Sequence, residues 1–175
     1  FISSFYNRYG LKNRDFTIIS NNCWGGFIYQ KYNLPYRTPF IGLFIPAPCY
    51  IKLLENFDDI MDSELKFIDL ETSVYHSKIL SVSQKIYPIG KLGEDIEIHF
   101  LHYKNEQEAF EKWNERKIRI NKKNMLVKFS EIDCCTSELI EKFDKLPFKN
   151  KLCIAVNKYN NLKSVISFPS TNGKN

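Results

Sequence analysis

The chain has 175 residues and a mass of 20.7 kDa, which is the length of one ordinary domain and enough to bury a substantial core. Hydrophobic residues make up 43% and aromatic residues 15%, a composition that excludes an intrinsically disordered protein. The longest apolar run, FIGLFIPAPCYI, contains two prolines and falls short of the roughly 20 residues that span a bilayer. The sequence therefore predicts no transmembrane segment and leaves peripheral membrane association open.

The charge and the cysteines indicate which partners and which cellular compartment to expect. The formal net charge of +5 comes from scattered lysines rather than a basic groove, so nucleic acid is not indicated as a partner. The five cysteines show neither a CxxC pair nor a framework spacing, which predicts reduced thiols and a cytoplasmic protein. No signal peptide is visible, and a start at Phe1 rather than Met leaves open that further sequence precedes it.

In the first half of the chain, apolar runs alternate with turn-forming residues. FTIIS and FIGLFI are typical of buried strands, and apolar residues at helical spacing follow the second of them. The predicted elements are an arm or short helix at 1–14, strands at 16–20 and 40–45, helical turns at 24–33, a helix at 48–61 and a third strand at 65–70.

DIEIHFLHY, residues 95–103, alternates as a strand does. Ile96, Ile98 and Phe100 share one predicted face, while Asp95, Glu97 and His99 share the other. By this alternation His102 continues the apolar face. The preceding YPIGKLGED, residues 87–95, fits either a hairpin turn or a binding loop.

The second half of the chain predicts further helices and strands. Asn105 followed three residues later by Glu108 resembles a capping box, so a helix is predicted at 105–117 with Ala109, Phe110 and Trp113 as its inward stripe. The other predicted elements are strands at 125–129 and 152–156 and in SVISF, a helix at 136–145 and a flexible tail at 169–175.

Alternation of strands and helices predicts an α/β fold: a single layered domain over residues 1–175, with a mixed, largely parallel β-sheet flanked by helices. We expect the strands at 16–20, 40–45, 96–101, 125–129 and 152–156 to share one sheet.

The loop NNCWGG, residues 21–26, follows the first predicted strand, and ligands of open α/β sheets bind at such carboxyl ends. Asn21 and Asn22 offer hydrogen bonds to a sugar or phosphate, and Trp24 offers a stacking surface. Gly25 and Gly26 permit close approach of a ligand to the backbone. Cys23 is a candidate nucleophile, although a free cysteine is equally typical of a buried core residue.

HFLHY supplies the predicted partner of that thiol. His102 follows one predicted strand and precedes a capped helix, and Cys23 follows another predicted strand. If the carboxyl ends of these two strands lie side by side, His102 lies close enough to Cys23 to act as its base. Tyr103 would then orient a substrate. A neighbouring imidazolium would lower the pKa of Cys23 and raise its reactivity. The alternative is a core histidine bonded to a backbone carbonyl. No metal site is predicted, because His99 and His102 fall on opposite faces of a strand.

PYRTPF, residues 35–40, is a third candidate. Two prolines stiffen a loop in which Arg37 could clamp a phosphate through two parallel hydrogen bonds, with Thr38 beside it. The alternative is a surface arginine in a rigid turn.

Four segments in this order resemble an uncharacterised bacterial family, domain of unknown function nineteen-nineteen, whose members are often labelled exopolysaccharide biosynthesis proteins. They are FTIISNNCWGG, PYRTPFIGLFI, YPIGKLGEDIEIHFLHY and EAFEKWNERKIRIN. The resemblance covers roughly residues 15–160. It implies a cytoplasmic α/β domain associated with capsule or surface-polysaccharide assembly, without an established reaction or catalytic residues.

Two functions follow as hypotheses. One is an enzyme of glycosyl or acyl transfer that acts on a sugar or nucleotide-sugar in exopolysaccharide synthesis. The other is a non-catalytic glycan-binding or scaffolding subunit. The sequence indicates no particular cofactor or oligomeric state.

Overall fold

The structure is a computed structural model that describes residues 10–79 and 86–168. Residues 1–9 of the predicted arm and the predicted tail at 169–175 lie outside the described residues. Within these ranges seven strands form two sheets. The strands are β1 (Thr17–Ser20), β2 (Leu65–Ile68), β3 (Ile89–Leu92), β4 (Ile96–His99), β5 (Met125–Ser130), β6 (Lys151–Ala155) and β7 (Val165–Ser167).

One sheet is entirely parallel, in the order β1-β5-β6-β7. All four residues of β1 are buried, as expected of a parallel strand that is covered on both faces. The other sheet is antiparallel, in the order β2-β3-β4. A tight turn with Gly93 at φ +59° joins β3 to β4, so the segment at 87–95 belongs to a hairpin.

The predicted α/β class, with a largely parallel sheet flanked by helices, is confirmed, but the prediction of one sheet is wrong. β4 belongs to the antiparallel sheet, and residues 40–45 form no strand beyond a single bridge between Phe44 and His99. Gly42 lies at φ +67°, a left-handed conformation that interrupts an extended ladder. The sheets nevertheless share a core, since Val127 and Ile98 belong to the same cluster of buried side chains.

Helices occur in the regions predicted at 24–33, 48–61, 105–117 and 136–145, and one further helix, at 76–79, was not predicted. The helices are α1 (Trp24–Lys31), α2 (Ala47–Glu55), α3 (Phe57–Asp62), α4 (His76–Ile79), α5 (Glu106–Lys117) and α6 (Ser137–Lys145). The single helix predicted at 48–61 is two helices, because the backbone at Asn56 leaves the helical region at φ −129°.

The predicted start of α5 is confirmed. The Asn105 side chain accepts a hydrogen bond from the Glu108 amide at 2.9 Å, and the Glu108 carboxylate accepts one from the Lys104 amide at 2.9 Å. The apolar stripe of α5 is narrower than predicted. Trp113 is buried, whereas Phe110 is 40% exposed.

Residues 41–45, which we call the bridging segment, connect the two sheets. The Ile45 amide donates to the Asn21 carbonyl, just past β1, at 2.9 Å. Phe44 and His99 exchange two backbone hydrogen bonds of 2.8 Å, which tie the same segment to β4. The bridging segment therefore brings the carboxyl end of β1 beside the end of β4.

Gly42 is the position at which this connection is most sensitive to substitution. We expect Gly42→Ala to lower the free energy of unfolding by about 1–2 kcal/mol from its left-handed backbone alone. A further loss should follow, because the new Cβ would lie 3.2 Å from the His102 Cβ and 3.4 Å from the Tyr103 ring. Urea denaturation measures both contributions together.

Gly93→Ala is the matched control. Its backbone is also left-handed, but its Cβ would meet only Ile60, at 3.7 Å. Equal losses of stability in the two variants would contradict the close approach at Gly42.

Candidate functional site

A cleft of about 380 Å³ lies beside the bridging segment. Its walls come from α1 and its N-cap, the bridging segment, the turn after β4, and α5. The lining residues are Cys23, Gly26, Phe27, Gln30, Tyr36, Ile41, Gly42, His102, Tyr103, Glu108, Lys112 and Arg116.

Cys23 and His102, predicted from two separate strand ends, both line this cleft. They are not brought together by two strands of one sheet, as predicted, because β1 and β4 belong to different sheets. Cys23 is the N-cap of α1, and its thiol lies 3.6 Å from the Leu43 carbonyl of the bridging segment. The His102 amide donates to the Gly42 carbonyl at 3.0 Å. Both residues are thus placed by the bridging segment.

The predicted alternation beyond β4 is wrong. The strand ends at His99 and a turn follows, so side chains no longer alternate between two faces at His102. His102 is exposed and does not continue the apolar face. His99, predicted to share a face with Asp95 and Glu97, is fully buried beside Glu97 at 3.6 Å, because both faces of β4 are covered. Burial lowers the pKa of His99 to about 4, against the smaller opposing effect of Glu97.

The pKa of Cys23 moves in the opposite direction to the predicted one. Burial raises the pKa of its thiol, and a backbone hydrogen bond opposes this only partly. The thiol is therefore protonated at neutral pH, which disfavours spontaneous nucleophilic reactivity.

Arg116 is the most strongly oriented charged group of the cleft. Its Nη1 donates to the Tyr103 hydroxyl at 2.9 Å, and its guanidinium carbon lies 5.0 Å from the centroid of the Tyr36 ring. The Tyr103 hydroxyl in turn donates to the Ile41 carbonyl at 2.7 Å. Burial raises the pKa of Tyr103, so the phenol keeps its proton. Arg116 forms no ion pair with any acidic residue in the described part of the chain.

The other lining residues include an exposed aromatic ring and two charged side chains that have partners within the protein. Phe27 is 64% exposed at the cleft. Lys112 pairs with Glu115 at 3.1 Å, and Glu108 is occupied by the cap of α5. The cleft therefore offers the exposed Phe27 ring and the Arg116 guanidinium, which forms no ion pair within the described residues.

Asn21, Arg37 and Thr38 were predicted to bind a substrate but do not line the cleft. Asn21 is fully buried, and its amide group makes two hydrogen bonds to the Ser130 backbone, at 3.2 and 3.0 Å, which extend the pairing of β1 with β5. Thr38 is also fully buried. The Arg37 Nε lies 3.1 Å from an Asp15 carboxylate oxygen. Each of these side chains contacts the protein itself or is buried, so their role in binding a substrate stays a prediction.

Asn22 and Trp24 do not line the cleft, and both contact a buried lysine. Lys128 Nζ donates to the Ser130 hydroxyl and, at 3.5 Å, to the Asn22 side-chain oxygen, and it lies 5.5 Å from the centroid of the Trp24 ring. The same Asn22 oxygen accepts from the Trp24 amide at 3.1 Å. Burial lowers the pKa of Lys128 to about 8. Asn22 and Lys128 thus fix the first turn of α1 rather than contact a ligand in the cleft.

The two glycines differ in their roles. A Cβ at Gly25 would approach Ile18 Cγ2 to 3.0 Å, so this glycine allows α1 to pack closely on β1. Gly26 lines the cleft, where a Cβ would make only an ordinary contact with Ile41 at 3.6 Å.

Sequence reasoning missed the residues that give the cleft its charge and aromatic surface, namely Phe27, Gln30, Tyr36, Glu108, Lys112 and Arg116. Two signals were present in the sequence. Lys112 and Arg116 are one helical turn apart on a predicted helix, and Tyr36 lies between the two prolines of a motif already selected.

Among residues 10–79 and 86–168, no group of three or more His, Cys, Asp and Glu side chains could hold a metal ion. In the same ranges, no helix is long and apolar enough to cross a bilayer.

The fold and the cleft define an α/β domain with a ligand-sized cleft where a parallel and an antiparallel sheet meet. The chain belongs to the family described as Domain of unknown function (DUF1919), whose model matches residues 1–175, which confirms the resemblance seen in its motifs. It is also 37% identical, over 154 residues, to an uncharacterized protein of Haemophilus influenzae. That match covers 88% of this chain and 68% of the relative.

The raised pKa of Cys23 predicts a slow thiol. At pH 7.5 we expect iodoacetamide to modify Cys23 in the folded protein more slowly than in the urea-unfolded chain, because burial reduces the thiolate fraction. The alkylation rate of Cys23 in the folded protein should still increase at pH values above the ordinary thiol pKa of about 8.5, because its own pKa is higher. Peptide mass spectrometry measures each cysteine separately.

His102→Ala tests whether His102 activates the Cys23 thiol. Its effect on the alkylation rate of Cys23 should stay within about twofold. A Cys23 that reacts faster than the unfolded chain, and that slows in His102→Ala, would contradict this account and restore the activated thiol.

Proposed function

We propose that the cleft binds a phosphorylated or nucleotide-activated sugar, and that the protein acts through this ligand in the synthesis of a bacterial surface polysaccharide. The observation that carries the proposal is Arg116. Its guanidinium is held against Tyr36 and by Tyr103, and it has no acidic partner in the described ranges.

Arginine binds phosphate well because its planar group presents several N–H donors in a fixed arrangement. Among the acceptors of residues 10–79 and 86–168, one Tyr103 oxygen receives a hydrogen bond from Arg116, so several of its N–H donors are left for a ligand oxygen. A guanidinium already held in place also loses less entropy on binding. These features favour an anionic ligand over a neutral glycan.

The size and the apolar wall of the cleft support the sugar part of the proposal. A volume of about 380 Å³ lies within the range of small-molecule sites, and exposed Phe27 offers a surface on which a sugar or base could stack. The polysaccharide setting derives from the label that members of this family often carry. The cytoplasmic setting derives from the five free cysteines.

A catalytic role for the same cleft is the second candidate, and it is favoured by the shared location of Cys23 and His102. In such a transfer the thiol would give its proton to His102, and the sulfur would take the glycosyl or acyl group as the donor's leaving group departs. Cys23→Ala separates the two candidates. A binding or scaffolding protein keeps its ligand affinity and its function, whereas an enzyme of this kind keeps the affinity and loses turnover.

Isothermal titration with UDP-glucose and UDP at low ionic strength tests the binding proposal. We expect Arg116→Gln to weaken both ligands about tenfold or more, since a hydrogen bond to a charged group contributes about 1.5–3 kcal/mol. Arg116→Lys keeps the charge but not the planar group, so it should recover only part of the loss.

Lys117→Gln is the matched control, because Lys117 is the last residue of the same helix, carries the same charge and does not line the cleft. It should change the affinity less than about twofold. Equal losses in the Arg116 and Lys117 variants, with the fold intact by circular dichroism, would show a general charge effect and contradict the proposed site.

A further inference from the structure

A second pocket, of about 450 Å³, lies at the opposite edge of the parallel sheet from the candidate cleft. Met125, which begins β5, and Asn150, which precedes β6, both line it, so it lies at the amino ends of these strands. The candidate cleft instead adjoins the carboxyl end of β1, which is parallel to β5. The two sites are therefore separate, and a ligand in one does not occlude the other.

Aromatic and aliphatic side chains form much of the inner surface of this pocket. Leu54 and Phe57 belong to the main core, and Phe148 packs against that core while remaining partly accessible. The Phe57 and Phe148 rings meet edge to face, with centroids 6.3 Å apart. Such a surface favours an apolar body over a polyhydroxyl sugar, which would leave its hydroxyl groups unpaired there.

The rim of the same pocket is cationic. Lys122 pairs with Asp58 at 2.7 Å, whereas Lys123 and Lys149 have no ion-pair partner within residues 10–79 and 86–168. Three lysines and one aspartate leave a net charge of +2 around an apolar floor. Both free ammonium groups are exposed and can move toward a ligand.

We propose that this pocket binds a small amphipathic anion: an apolar aromatic or acyl body that packs on Phe148, with a carboxylate, sulfonate or phosphate paired to Lys123 and Lys149. The apolar body of the ligand matches the apolar floor of the pocket, and its anionic group matches the lysines of the rim. The site is independent of the proposed function of the cleft, since the two share no lining residue.

The probe is 8-anilinonaphthalene-1-sulfonate, which joins an aromatic body to one anionic group, and fluorescence titration of the full chain measures its affinity. We expect a saturable binding component at this pocket, distinct from any binding of the probe in the candidate cleft. Lys123→Gln/Lys149→Gln and, separately, Phe148→Ala should each weaken it about fivefold or more. The neutral analogue N-phenyl-1-naphthylamine should bind the wild-type protein more weakly, and the double lysine variant should remove that difference.

Two controls assign the binding to this pocket. Lys142→Gln/Lys158→Gln removes the same charge from exposed positions elsewhere, and Arg116→Gln removes the cation of the candidate cleft. Both should keep the affinity within about twofold. Loss of binding in Arg116→Gln, or an affinity unchanged by the Lys123/Lys149 and Phe148 variants, would overturn the proposal.

Competition identifies the body of the ligand. Displacement of the probe by decanoate assigns an acyl body, and displacement by 1-naphthoate assigns an aromatic one. Failure of both anions to displace it would overturn the proposal even if the probe itself binds.

Discussion

The arrangement of the site depends on one set of backbone hydrogen bonds, those of the bridging segment. Residues 41–45 bond to the end of β1 through Ile45 and to β4 through Phe44. They thereby join two sheets that share no ladder within the part of the chain that the structure describes. Buried backbone groups must be paired, and these bonds pair them where neither sheet continues. Gly42, which precedes both attachments, has a left-handed backbone, and its carbonyl accepts a hydrogen bond from the His102 amide.

The electrostatics of the cleft follow from that connection. Tyr103 is anchored to the Ile41 carbonyl and presents its oxygen to Arg116, so the bridging segment indirectly sets the position of the guanidinium. On the other wall, Lys128 and Asn22 hold the first turn of α1 on β5. Burial raises the pKa of the Cys23 thiol on the same wall, which disfavours spontaneous thiol chemistry.

Local patterns predicted much of the fold. The Asn105 cap placed α5, and continuous apolar runs placed β1 and β5, because these signals act within a few residues. The error at 40–45 has a physical cause: a buried connecting segment needs the same apolar residues as a buried strand, and only Gly42 distinguishes them. His102 was assigned from an alternation that holds only while the strand lasts. Arg116 could not be assigned, since nothing in the spacing reveals that Tyr36, distant in the chain, lies beneath its guanidinium.

The central claim is that Arg116, held by Tyr36 and Tyr103, receives the phosphate of an activated sugar. A crystal structure of the protein with bound UDP-glucose tests it most directly. The account predicts a diphosphate oxygen within hydrogen-bond distance of the Arg116 guanidinium, with the sugar or the base against Phe27. Ligand bound only outside the cleft, or with its diphosphate directed away from Arg116, would contradict it.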